Sequence, residues 1–237
     1  MLTLGIETAT ERVSVALGSH EGLVGHVEIT RGRRHAETLT PAIEFICRQA
    51  DVSLSEIGAI AVDVGPGLFT GMRVGIAAAK AMAHALRINI VTIDSLATMA
   101  HGAGPIADYR IVASVIDARK GELFYALHRV DGDTVQRLGD PVCGDVDELV
   151  SDLLGRSQPT LVVGDGAMKH AARITESFAC DIAGIDHAYP SAGSLIAMGH
   201  ARALREEWLE PHQVEAFYLR RPDAEINWAT RTSGAGR

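Results

Sequence analysis

The chain has 237 residues, 47% apolar and 22% charged, and 22 Lys and Arg against 30 Asp and Glu give a formal net charge of −8. The balance is globular, and the negative charge argues against a protein that grips nucleic acid alone, because backbone binding needs a basic face. No apolar run approaches the ~20 residues of a membrane helix, no signal peptide precedes LTLGIET, and Cys47, Cys143 and Cys180 are too few and scattered for a disulfide framework, so a cytoplasmic chain with reduced thiols is expected.

Residues 2–6, 13–17 and 23–29 read as three consecutive antiparallel strands joined by polar turns. In RHAETLTPAIEFICRQA, Leu39, Ile43, Ile46 and Ala50 fall at helical spacing, with Pro41 in the first turn or at a kink. IGAIAVDVG is a continuous apolar run, the pattern of a strand buried on both faces. TGMRVGIAAAKAMAHAL is a helix, INIVTI a short strand, and SLATMAHGA a helix that closes the first half. Beyond a linker at Gly102–Pro105 come three strands within IVASVI, LFYALHRV and TVQRLG. A helix capped by Asp145 follows, then the strand TLVVG and a glycine turn leading into the helix DGAMKHAARITESFA.

The order strand, strand, strand, helix, strand, helix therefore occurs twice. It predicts an α/β chain of two domains, residues 1–104 and 105–237, each a mixed sheet flanked by helices. The last helix, 191–208, is free to pack back on the first domain, and 229–237 reads as a flexible tail. Two such halves resemble the sugar-kinase, heat-shock-protein and actin architecture, in which ribonuclease H-like domains face each other across a nucleotide cleft. Fold alone does not fix function.

The loop Gly65-Pro66-Gly67-Leu68-Phe69-Thr70-Gly71 stands between a strand and a helix, where phosphates are often held. It is not a Walker A loop, since Met72 follows Gly71 and no Lys is placed for a phosphate. Its glycines are also one residue out of register for G-x-G-x-x-G. Thr70 is a candidate cap and the helix start a candidate anion site; the alternative is a tight turn. In the helix that follows, Gly71, Gly75, Ala79 and Ala83 recur every fourth residue, with Ala78 and Met82 alongside. Positions four apart share a face. Gly75 costs about 0.8–1 kcal/mol against Ala, so a close neighbour should compensate, either within the domain or on another chain.

Glu7-Thr8-Ala9-Thr10 occupies the first hairpin turn, where nucleotide-binding members of this architecture place an acid and hydroxyls against phosphates and Mg²⁺. No glycine lies in the bend. Gly164 and Gly166 in GDG, and the DARKGE turn with Arg119 and Lys120, sit at the corresponding positions of the second half. These residues keep a small-molecule kinase or ATPase open as an alternative, with Glu7, Thr8, Thr10, Gly164 and Gly166 as vestigial nucleotide contacts. No two of the ten histidines are four apart and there is no C-x-x-C, so no metal site is expected and a metalloprotease is the remotest reading. G-x-S-x-G is absent as well.

GIETATERVSVAL, RRHAETLTPAI, AIAVDVGPGLFTGMRVGIAAAKAMAHAL, IDARKGELFYAL and EAFYLRRPDA resemble the TsaB (YeaZ) family over Leu2 to about Ala224. The resemblance implies a non-catalytic subunit with no cofactor of its own. It would dimerise with, and activate, the catalytic paralogue TsaD, which threonylcarbamoylates N6 of adenosine 37 in tRNAs reading ANN codons. The small ATPase TsaE joins the pair, tRNA is met only through the complex, and ATP, Mg²⁺ and metal belong to the partners. Alone, such a chain is expected to homodimerise.

The family's interface maps onto His35, Leu39, Ile43 and Ile46 of one helix and Gly71, Met72, Gly75, Ile76, Ala78, Ala79, Met82 and Ala83 of the next. The paralogue carries H-x-x-x-H where this chain has Asp94–Met99. Glu7 stands where the family usually has Asp, and Leu68 where it usually has Ser.

Overall fold

The computed structural model describes residues 1–32, 34–104, 111–132, 134–156 and 158–220. Strands β1 (Leu2–Glu7), β2 (Arg12–Ser19) and β3 (Gly22–Thr30) form an antiparallel meander. Helix α1 (His35–Gln49) leads to β4 (Ile57–Asp63), parallel to β1, and α2 (Phe69–Leu86) leads to β5 (Asn89–Ile93), parallel to β4. The sheet order is β3-β2-β1-β4-β5. After α3 (Ser95–Gly102) the plan repeats. Strands β6 (Ile111–Arg119), β7 (Glu122–Asp131) and β8 (Thr134–Arg137) are an antiparallel meander, and β9 (Val142–Gly144) also pairs with β7. Helix α4 (Val146–Leu154), β10 (Thr160–Val163), α5 (Asp165–Lys169), α6 (Ala171–Ser177), β11 (Asp181–Ile182) and α7 (Ala192–Leu204) complete the chain's regular elements. The second order, β11-β10-β6-β7-β8, is the first one repeated. These are the two ribonuclease H-like mixed sheets expected.

Asp145 caps α4 with a full capping box closed by Glu148. Thr70 does not cap α2: the helix starts one residue earlier, with Leu68 at the cap position and no side-chain cap. The single helix expected after Gly164 breaks at His170 into α5 and α6. Strands β9 and β11 are three and two residues long, too short to show a period. The tail 229–237 lies outside the described residues, as does 105–110, beside the expected boundary at 104/105.

Packing crosses that boundary in both directions. On one face of the first sheet, α1 and α2 cover Leu4, Ile6, Val15, Ile60 and Val62. The opposite face is covered by α7, from the far end of the chain, through Leu195 and Ala203 against Ala59, Ala61, Val91 and Ile93, and through Ala192 and Ile196 against Ala16. Conversely α3, from the first half, buries Leu96, Met99 and Ala100 against Val112, Ile116, Phe124 and Ala126 of the second sheet. So α3 does not close the first half, and each half lends a helix to the other's sheet.

Beyond α7 the chain returns along the first lobe. Leu209 exchanges both backbone hydrogen bonds with Ile90, Val214 is buried, and Phe217 N donates to the Val64 carbonyl at 2.7 Å. Phe217 packs on the first core and Leu219 on the second, so this strap joins the lobes.

The Gly/Ala stripe of α2 faces inward. A Cβ on Gly71 would lie 2.2 Å from the Thr8 carbonyl, and one on Gly75 2.3 Å from Thr8 Oγ1. Ala79 and Ala83 are fully buried, as are Met72 and Ile76 to within 7%. His35, Leu39, Ile43 and Ile46 of α1 belong to the same core. The neighbour that compensates Gly75 is thus the chain's own β1, not another protein. Of the residues expected at the partner interface, only Ala78 and Met82 are even half-exposed.

Gly71→Ala is expected to destabilise the fold by about 1–3 kcal/mol, because the clashing atom is backbone and cannot swing away. Urea unfolding followed by circular dichroism measures it, and a variant as stable as the parent would mean that α2 does not approach β1 so closely.

Candidate functional site

The first hairpin turn is enclosed. Glu7, Thr8 and Thr10 are exposed by 2% or less. Thr8 Oγ1 donates to the Gly71 carbonyl at 2.8 Å, the Ala9 carbonyl accepts from Leu68 N at 2.6 Å, and His35 Nε2 donates to the Thr10 carbonyl at 2.6 Å. The turn is therefore engaged with the starts of α1 and α2. Glu7 Oε1 accepts from Ala9 N at 2.6 Å, while Oε2 is buried with no partner among the described residues. Beside it, at the end of the neighbouring parallel strand, Asp63 Oδ1 accepts from Gly65 N and Ser95 Oγ, both at 2.7 Å, and its Oδ2 likewise has no partner among the described residues. Burial, together with the Asp63 charge, holds the Glu7 carboxyl well above the usual range. Burial pushes Asp63 to about 8, with the Asp94 charge adding to it and the Ser95 and Gly65 hydrogen bonds opposing. Asp63 was legible only as an acid ending an apolar run, and sequence reasoning passed it over.

Across the cleft, the DARKGE turn supplies a second polar group. Arg119 contacts Glu11 of the first lobe and lies 3.3 Å from Asp117, which also takes Lys169 at 2.9 Å. Asp165 Oδ1 accepts from Asp117 N at 3.0 Å. Arg137 on Asp94 at 2.7 Å and Ser114 Oγ on the Leu96 carbonyl at 2.8 Å tie the lobes further. Gly164 and Gly166 are pressed on β6: a Cβ would lie 1.9 Å from the Val115 carbonyl and 3.0 Å from Ile116 C. An interlobe cavity of about 300 Å³ is lined by neither these glycines nor Glu7, Thr8 or Thr10. The five residues expected as nucleotide contacts thus serve internal packing on two separate sheets.

The family model of TsaD, tRNA N6-adenosine threonylcarbamoyltransferase, matches residues 22–228. The tRNA threonylcarbamoyladenosine biosynthesis protein TsaB of Haemophilus influenzae is 26% identical over 95% of this chain and 94% of its own. The Escherichia coli TsaB is 37% identical over 131 residues, 55% of this chain and 56% of that one. The structure of YeaZ from Pseudomonas aeruginosa superposes with a TM-score of 0.79 at 25% identity, covering 92% of this chain and 98% of that one. The chain belongs to the TsaB (YeaZ) branch of this family.

The surface that α1 and α2 leave outside differs from the residues that the resemblance assigned to the interface. The exposed line on α2 is Thr70, Arg73, Ala77, Ala81 and His84, with Val74, Ala78 and Met82 half-buried beside it. On α1 it includes Pro41, Glu44, Arg48 and Phe45, the last 47% exposed. Among the described residues no group of three or more His, Cys, Asp or Glu is placed to hold a metal ion, and no helix is long and apolar enough to cross a membrane.

The buried carboxyls carry a pH signature. Both hold their protons more tightly folded than unfolded, and for Asp63 the contribution is fully present below about pH 4 and is lost as pH rises to about 8. Asn at position 63 keeps an acceptor without the charge. The stability of Asp63→Asn relative to the parent should therefore grow from pH 5 to pH 8 in urea titrations. A pH-independent difference would mean that Asp63 is ionised throughout.

Proposed function

We propose that this chain acts in threonylcarbamoyladenosine formation on tRNA as a non-catalytic subunit. It holds a catalytic threonylcarbamoyltransferase paralogue, TsaD, through the outer face of α1 and α2. The observation that carries the reading is the enclosure of Glu7, Thr8 and Thr10: the turn that would cradle phosphates in a nucleotide-using relative is engaged in seating α2. The outer face of α2 offers small side chains, Ala77, Ala78 and Ala81, that let another helix approach closely, with Phe45 of the adjoining α1 as an apolar anchor. The relatives named TsaB supply the process. The small ATPase TsaE and tRNA join through the complex, and in the absence of the paralogue the same face pairs with a second copy of this chain.

The unpartnered oxygens of Glu7 and Asp63 favour one other reading, a kinase or ATPase of the same architecture. Calorimetry of the isolated chain with ATP and Mg²⁺ separates the two: tight binding with turnover overturns the scaffold reading.

Phe45→Asp and Ala77→Glu change only exposed positions, so each variant should melt like the parent. Each should weaken association with the paralogue by roughly 30-fold or more, the scale of a 2 kcal/mol hot spot. Sedimentation of the mixed subunits reads this. An unchanged affinity in both variants would place the interface elsewhere.

A further inference from the structure

The cavity between the lobes, about 300 Å³, is lined by none of Phe45, Ala77, Ala78 and Ala81. Its first wall is the loop Pro66–Phe69 with Met72, and its second is Ala118 and Phe124 of the other sheet. The strap closes it with Phe217 and Leu219. These walls are apolar and partly aromatic. Two guanidinium groups, Arg119 and Arg220, stand among them.

The charges are arranged to accept an anion. Asp117 is the acid in the lining, and Lys169 already neutralises it at 2.9 Å. Arg119 shares that carboxylate with Lys169, and Asp165 acts on it as well. Its other partner, Glu11, is 36% exposed at the side chain and can return to water. Arg119 Nε is buried with no acceptor among the described residues. Arg220 is held by Glu122, whose side chain is 41% exposed. Arg119 stands at the start of the β6–β7 hairpin turn, where Arg119, Lys120 and Gly121 all take positive φ. The uncapped start of α2 adds positive potential along the first wall, and no acidic residue lies in its first turn.

We propose that this cavity is a binding site for a small aromatic anion: one or two planar apolar rings carrying a single carboxylate, sulfonate or phosphate. The volume sits at the lower end of ligand pockets and admits a molecule of that size. The rings lie among Met72, Phe124 and Phe217, and the acid exchanges for Glu11 on Arg119. Because the walls come from both lobes and the strap, the occupant also braces the lobes against each other.

The probe is 1-anilinonaphthalene-8-sulfonate, titrated by fluorescence into the full chain, with the uncharged N-phenyl-1-naphthylamine as control. The sulfonate is expected to bind saturably at one site, roughly tenfold more tightly than the control. Arg119→Gln should weaken it about tenfold, the loss of one charge-assisted contact. Leu68→Trp, which fills the cavity from a half-buried position, should abolish it. Thermal melting checks that both variants stay folded. Should Arg119→Gln melt early, Arg220→Gln takes its place. No saturable binding, equal affinity for the uncharged control, or unchanged binding in folded Leu68→Trp would overturn the site. Phe45 and Ala77 do not line the cavity, so failure of the scaffold reading and failure of this one are distinguishable.

Discussion

The contact on which the molecule depends is the approach of α2 to β1 at Thr8. One threonine supplies its carbonyl against Gly71, its hydroxyl against Gly75, and a 2.8 Å hydrogen bond to the Gly71 carbonyl. A carbonyl has two lone pairs, so the Gly71 oxygen takes the Thr8 hydroxyl alongside its helical donor a turn further on. The approach seats Met72, Ile76, Ala79 and Ala83 in the core, and it sets the loop 65–69 that borders the interlobe cavity. The turn Glu7–Thr10 cannot hold α2 in this way and remain open to phosphate.

Two features then hold the lobes together. Helices α3 and α7 are exchanged between the sheets and touch each other, and the strap puts Phe217 in one core and Leu219 in the other. Ion pairs at the cleft, Arg119 with Glu11 and Arg137 with Asp94, reinforce this at exposed positions where each is worth little alone. The apolar exchange is the stronger tie, because burying a single Leu or Ile contributes about 1.5–3 kcal/mol. Hinge opening, the usual motion of two-lobed nucleotide enzymes, would have to pull α3 from one sheet or α7 from the other.

Much of the fold was legible because its periods are clean. Alternation marks β1 to β3, and the unbroken IGAIAVD marks a strand covered on both faces. Repetition of the order gave the duplication. The direction of α2 was not legible: a stripe of Gly and Ala reports only that a backbone comes close, and it does not say whose. Apolar periodicity has the same ambiguity: Leu39, Ile43 and Ile46 recur at helical spacing, and with His35 they lie in the core, where the resemblance had assigned them to an interface. Pairing between distant segments is also invisible in a single sequence. Asp63 with Glu7, Arg119 with Glu11 and α7 with the first sheet lie 50 or more positions apart, and no local pattern links them.

The exchange of helices has a consequence for synthesis. The chain emerges amino end first, so the first sheet is complete when Ile93 has been made, yet the helix that covers its Ala59, Ala61, Val91 and Ile93 face ends at Leu204. At ordinary elongation rates of ~5–20 residues per second, that face waits on the order of 5–20 s on the ribosome without its cover. Its residues are small, alanine more than leucine, which limits the adhesive area presented during the wait. A nascent chain of this design is at its most vulnerable late, because a helix made at residues 192–204 decides whether a face made by residue 93 is protected.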